Sequence, residues 1–158
     1  MSMTIGNTIP SLQLKYAGEK GPADITTDEI FKGKKVVLFA VPGAFTPTCS
    51  AAHLPGFVVN VDAIKAKGVD TVVCMAVNDA FVMGAWSKAQ NAEHILMLAD
   101  GNAEFTRALG LELDGTGFGM GIRSKRFAMI VNNGVIELLN VDEKALEKSS
   151  AEAILAAL

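Results

Sequence analysis

Apolar positions along this chain fall in short unbroken runs separated by stretches with helical spacing. Val36-Val37-Leu38-Phe39-Ala40 has no polar alternation, so it reads as a strand, Val36 to Val41, buried on both faces of a parallel sheet. Thr71 to Val77 and His94 to Ala99 give a second and third strand. Arg126 to Val131 and Val135 to Val141, joined by Asn132-Asn133-Gly134, give a closing hairpin. Helical patterns lie between them. One runs from Ala51 to about Lys67, kinked at Pro55 and closed by Gly68. Another covers Ala80 to Gln90 behind the cap Asn78-Asp79, and a third covers Ala103 to Leu109, ending at Gly110. Ser149-Ser150-Ala151-Glu152 caps a last helix, Ala153 to Leu158, and the Thr26-x-x-Glu29 pattern starts a short one that Gly33 ends. Residues 1 to 22 read as an irregular lead-in with a strand around Ser11 to Lys15, and Asp114 to Gly121 as a glycine-rich loop. Strands alternating with helices predict an α/β domain spanning residues 1–158.

The first core strand gives way to Val41-Pro42-Gly43-Ala44-Phe45-Thr46-Pro47-Thr48-Cys49-Ser50, and the helix follows at once. Cys49 therefore sits where a strand turns into a helix N-terminus, where unpaired N–H groups and the helix dipole favour an anion such as a thiolate. From Val36 through Val61 no Asp, Glu, Lys or Arg occurs, so no local carboxylate opposes that charge. A lone cysteine in an apolar stretch is also a common core residue, and position alone leaves both readings open. A cysteine directly after the first core strand is the arrangement of the thioredoxin fold, a central mixed β-sheet flanked by helices. The uncharged stretch does not read as a membrane span, because Pro42, Pro47, Pro55, Gly43 and Gly56 interrupt it.

Composition narrows the picture. A chain of 158 residues, half of them hydrophobic, with mean hydropathy +0.33, can bury a full core. A net charge of -3 without a basic block argues against nucleic acid or an anionic membrane as the main partner. Two cysteines are too few for a disulfide framework and point to a thiol protein of the cytoplasm. The first residues show neither a basic n-region nor an apolar h-region, so no secretory signal is expected.

Several residues around Cys49 carry chemistry. Thr46 stands where a dithiol motif would have its first cysteine, so Thr-x-x-Cys excludes an intramotif disulfide. Its hydroxyl can donate to a thiolate or a bound peroxide, and Pro42 can shield the site from water. The missing cation is expected from Arg123, Lys125 or Arg126, which open a strand that can lie beside the first core strand. Cys49 and His53 have metal-ligand spacing, but only Cys74 and His94 remain as soft partners, both in apolar strands; His53 reads as a surface or packing histidine. Gly115 to Gly121 lacks G-x-G-x-x-G and precedes a strand, which excludes a nucleotide loop. Met75, Met83, Met97, Met120 and Met129 read as core fillers and Trp86 as packing. Cys74, between Val73 and Met75 and below its strand's carboxyl end, reads as an inert core thiol.

The run from Val41 to Ser50 resembles the active-site loop of peroxiredoxins, in particular the type II (atypical, peroxiredoxin-five-like) group. The resemblance continues through Val77 to Trp86 and through Gly121 to Phe127 and covers nearly the whole chain. It implies that Cys49 is the peroxidatic cysteine, Thr46 its hydroxyl partner, Pro42 the shielding proline and Arg126 the guanidinium that completes the site. It implies an antioxidant thiol peroxidase acting on hydrogen peroxide and alkyl hydroperoxides without metal or prosthetic group, and a homodimer packed through loops near the active site. Some members carry a resolving cysteine near the C-terminus, where this chain has Ser149 and Ser150. The expectation is therefore a one-cysteine cycle in which glutathione, glutaredoxin or thioredoxin recycles the sulfenic acid. The competing reading is a non-catalytic redox sensor or chaperone using the same cysteine.

Overall fold

The computed structural model describes residues 3–158. Its strands are β1 (Gln13–Gly18), β2 (Gly21–Thr26), β3 (Lys35–Ala40), β4 (Thr71–Ala76), β5 (Leu96–Ala99), β6 (Glu112–Asp114), β7 (Ile122–Ser124), β8 (Arg126–Asn132) and β9 (Val135–Asp142). Its α-helices are α1 (Thr27–Phe31), α2 (Leu54–Ala66), α3 (Ala80–Ala89), α4 (Glu104–Leu109) and α5 (Ala151–Ala157). Seven strands form one mixed sheet in the order β2-β1-β5-β4-β3-β8-β9, with β3, β4 and β5 parallel and β8 antiparallel to β3. This is the thioredoxin-like arrangement expected from the order of elements.

Strand alternation divides the core into two layers. Val37, Phe39 and Val41 of β3 and its exit, with Cys74 and Ala76 of β4, pack against Leu54, Phe57 and Ile64 of α2, Met83 and Trp86 of α3, and Ile154 of α5. Val36, Leu38, Val73 and Met75 face the other way, onto Ile30 and Phe31 of α1 and Phe105 and Leu109 of α4. Both faces of the central strands are covered, which is why their sequences are continuous apolar runs. Cys49 and Cys74 lie in the same layer.

Three of the predicted caps form as side-chain bonds. Thr26 and Glu29 make both arms of a capping box on α1, Asp79 accepts from Val82 N on α3, and Ser150 accepts from Ala153 N on α5. Helix α4 begins one residue later than expected because Ala103 has φ 58°. Its first N–H groups, those of Phe105 and Thr106, are taken instead by the buried Asp100 carboxylate at 3.1 and 2.8 Å.

The structure corrects the reading in four places. The strand expected around Ser11 to Lys15 is present as β1, but the rest of the lead-in is not irregular: β1 and β2 pair from Gln13↔Thr26 to Gly18↔Gly21, and Thr8 bridges to Val135. Pro22 is tolerated because β2 is an edge strand. The glycine-rich loop is flanked by β6 and β7, a small hairpin with Leu113↔Arg123 and Asp114↔Ile122 paired. At its base Gly115 N donates to Gly121 O at 2.7 Å, so close that a Cβ on Gly115 would meet that oxygen at 2.9 Å. The strand expected from His94 begins at Leu96, and His94 is exposed. Met75, Met83, Met97 and Met129 are buried as expected, whereas Met120 is half-buried.

Candidate active site

The site is built at the carboxyl end of β3. Beyond Ala40 the chain stays in the sheet for one more bond, Val41 N to Met75 O, and then turns away through Pro42 to Thr46. Asn78, just beyond β4, pins this loop by accepting from Ala44 N at 2.9 Å. Gly43 packs closely, since a Cβ there would lie 2.9 Å from Arg123 Nη1 and 3.0 Å from Thr46 Cγ2 and would displace the end of the Arg123 side chain. Phe45 is held at φ 65°, unusual for a bulky residue, with its ring 6.4 Å from Trp86.

The helix does not begin as a plain α-helix. Residues 47 and 48 are helical, then Cys49–His53 form a π turn that α2 continues, with Leu54 N donating to Cys49 O. Pro55 explains the widening, since it has no N–H to return to the preceding turn. The Ser50 carbonyl, five residues before it, is satisfied by Gln90 Nε2 at 3.2 Å, and the Ser50 hydroxyl accepts from Trp86 Nε1 at 3.0 Å. The expected kink at Pro55 is thus an inserted residue one turn earlier, at the cysteine itself.

Cys49 has no exposed surface, and its sulfur accepts a hydrogen bond from Arg126 Nη2 at 3.3 Å. Of the three candidate cations, the structure brings Arg126 to the sulfur. Register dictates this: Ala40 pairs with Phe127, so the residue before Phe127 lies just past the end of β3. Arg123 instead donates from Nε to Met120 O at 3.0 Å and from Nη1 to Pro42 O at 3.5 Å, bracing the loop. Lys125 pairs with Glu143 on the surface.

His53 is the residue that the sequence reading missed. It is buried between Phe39 and Phe57, with ring centroids at 5.0 and 5.7 Å. Its Nδ1 accepts from Arg126 Nη1 at 2.8 Å, and its Nε2 donates to the Ser149 carbonyl at 2.9 Å. Burial lowers its pKa to about 4, the cationic Arg126 acts in the same direction, and the Ser149 carbonyl and Asp142 oppose the shift. The signal that pointed here was the Cys-x-x-x-His spacing, read as a possible metal pair; both ring nitrogens are committed to protein partners.

Thr46 also differs from expectation. Its hydroxyl donates to Gly43 O at 2.7 Å, so toward the site it offers a lone pair rather than a proton. Thr46 and Arg126 line a cleft of about 380 Å³ whose apolar wall is Pro42, Pro47, Leu113, Phe118 and Met120. Cys74 is buried on β4, opposite Phe39, and burial followed by the nearby Cys49 raises its thiol pKa well above the ordinary range.

Comparison with known proteins agrees with this geometry. The Redoxin family profile matches residues 4–155. Peroxiredoxin-2D of Arabidopsis thaliana is 45% identical over 99% of this chain and 98% of its own length. Peroxiredoxin-2E-2, chloroplastic, of Oryza sativa subsp. japonica is 46% identical over 99% of this chain and 73% of its own length. The solved structure of reduced Prx3 from Vibrio vulnificus in complex with H2O2 superposes with a TM-score of 0.94 at 59% identity, covering 98% of both chains. A sulfur held by a buried guanidinium at a helix start, on this sheet and with these relatives, places the chain in the Redoxin family, among the type II, peroxiredoxin-five-like peroxiredoxins, which are thiol peroxidases.

Proposed function

We propose that this protein reduces hydrogen peroxide and alkyl hydroperoxides through Cys49. The observation that carries the reading is the 3.3 Å bond from Arg126 Nη2 to Cys49 Sγ beside a cleft that Thr46 also lines. The thiolate is the nucleophilic form of a cysteine, and Arg126 places a cationic donor against its sulfur. The sulfur's electron pair forms an S–O bond with the distal oxygen of the hydroperoxide, and the O–O bond breaks. The departing oxygen takes that bond's electrons and a proton to become water or an alcohol, leaving Cys49 as a sulfenic acid.

Thiolate formation alone does not account for catalysis. Converting an ordinary thiol of pKa ~8.5 fully to thiolate gains only about 30-fold at pH 7, whereas enzymes gain roughly 10⁶-fold or more. The remainder comes from alignment and from stabilising charge on the leaving oxygen. Thr46, whose own proton is spent on Gly43 O, can accept the hydroperoxide O–H. Arg126 has five N–H donors and uses its two Nη atoms on Sγ and His53, so one guanidinium can address both sulfur and substrate. Pro42 helps wall off water. Because Cys49 is fully buried, a slim –O–O–H head presented from the cleft fits the route better than a bulky electrophile.

Cycling requires an external thiol. Attack by glutathione, or by glutaredoxin or thioredoxin, forms a mixed disulfide with loss of water, and a second thiol releases Cys49. Such a cycle suits a reducing compartment such as the cytoplasm. The exposed Phe45, Leu113 and Phe118 around the cleft support a homodimer packed through this rim. The test is steady-state turnover with excess peroxide and reductant, in which Cys49→Ser abolishes activity and the wild type cycles many times. Consumption of a single equivalent per chain would instead identify a stoichiometric redox sensor.

A further inference from the structure

We propose that His53 is a positioning residue for the guanidinium of Arg126, and that it acts as one fixed neutral tautomer held by the Asp142–Ser149 corner. This rests on the reading of Cys49 and Arg126 given above. An arginine can only donate, so Nδ1 of His53 must present a lone pair to Nη1 across the 2.8 Å contact. A carbonyl can only accept, so Nε2 must carry the proton that it gives to Ser149 O at 2.9 Å. Both demands are met by one species, the imidazole protonated at Nε2. With its pKa lowered to about 4, chiefly by burial, the ring keeps that form at neutral pH.

The carbonyl that fixes the ring is itself fixed from a distance. Asp142, which ends β9, accepts from Glu147 N at 3.0 Å, Lys148 N at 3.1 Å, Ser149 N at 2.8 Å and Ser149 Oγ at 2.7 Å. These bonds fold residues 143–149 into a tight corner that aims the Ser149 carbonyl at His53 Nε2. Asp142 is also the register partner of Arg126 across β8 and β9. One strand pair therefore supplies both the cation and, through the corner and the imidazole, its brace. The fork is held at two points, Nη1 on His53 and Nη2 on Cys49, which sets the guanidinium plane relative to the sulfur. Without the Nδ1 acceptor, Arg126 would keep its charge but lose its aim.

The two amide replacements separate acceptor from donor. In His53→Asn the carbonyl oxygen takes the place of Nδ1 and the bond to Ser149 is lost. In His53→Gln an amide N–H reaches toward Ser149 O and the acceptor facing Arg126 is lost. His53→Gln is expected to lower the peroxide reaction rate about tenfold or more, the weight of a hydrogen bond to a charged group. It should also slow the alkylation of Cys49 by iodoacetamide at pH 7. His53→Asn should stay within about threefold of wild type on both readouts. Equal losses in the two variants would reduce the role of His53 to packing and overturn the proposal, as would two variants indistinguishable from wild type. Imidazole ¹⁵N chemical shifts of the wild-type protein at pH 7 need no folded variant: an Nε2–H tautomer supports the proposal, and an Nδ1–H tautomer or an imidazolium overturns it. Alkylation requires no turnover, so failure of the peroxidase reading and failure of this one are told apart.

Discussion

A buried histidine held neutral makes stability depend on pH in a defined window. His53 keeps a pKa of about 4 in the folded chain, against about 6.5 for an unperturbed imidazole. Between those values the unfolded chain binds a proton that the folded chain refuses, so stability falls as the pH drops from about 6.5 to about 4. Applying the linkage relation to these two pKa values gives a loss of about 2 kcal/mol between pH 7 and pH 5 and roughly 3 kcal/mol by pH 4. Asp142 acts below this window, because its pKa is lowered to about 2. Burial favours its neutral acid, but the hydrogen bonds from Glu147, Ser149 and Lys148 outweigh that effect, so its stabilisation fades only as the pH falls from the ordinary carboxylate range toward 2. The assay is urea unfolding of the reduced protein followed by far-UV circular dichroism at pH 7, 6 and 5, with His53→Asn as the reference. The wild type should lose the stated amount and the variant should show a shallower slope. A wild type equally stable at pH 7 and pH 5, or a His53 ring titrating near pH 6.5 by NMR, would refute the reasoning.

Three further substitutions test the site and the core beside it. Arg126→Lys should slow the reaction with peroxide tenfold or more in stopped-flow measurements, because a compact ammonium lacks the planar fork whose two Nη atoms reach Sγ and His53. Arg123→Lys should cost less, since Arg123 braces Pro42 and Met120 without touching sulfur; a reversed ranking would transfer the catalytic role to Arg123. Cys74→Ser should retain turnover while losing about 1–3 kcal/mol of stability for a hydroxyl placed in an apolar core. A quantitative Cys49–Cys74 disulfide, found by mass spectrometry after one equivalent of peroxide, would contradict it.

The parts of the molecule that were legible in advance are those whose cause is local. Unbroken apolar runs marked β3, β4 and β8, since strands covered on both faces tolerate no polar alternation. Thr26, Asp79 and Ser150 announced their helices because capping is a short-range side-chain bond. Strand β2 carried no such signal, whereas β1 was expected around Ser11 to Lys15. Ala17-Gly18-Glu19-Lys20-Gly21-Pro22 has the composition of a loop, and β2 is a strand because β1 offers it a free edge, a tertiary reason. Likewise β6 and β7, three residues each, exist because they pair with one another.

Within the site the same division holds. Arg126 could be connected to Cys49 from pattern alone, because an antiparallel strand must begin where its neighbour ends, and Ala40↔Phe127 is that register. The connection from Cys49 to His53 was visible as spacing but not as role. What makes His53 a brace is a lone pair offered to a side chain 73 residues away and a proton given to a carbonyl 96 residues away. A backbone carbonyl has no residue signature, and the aim of the Ser149 oxygen is set by Asp142 through bonds mostly to backbone N–H groups. The two serines near the C-terminus thus have structural work in this chain. Ser149 turns its carbonyl toward the imidazole and Ser150 caps α5. A cysteine at position 149 would have to give up the buried hydroxyl bond to Asp142 and disturb the corner that orients the site.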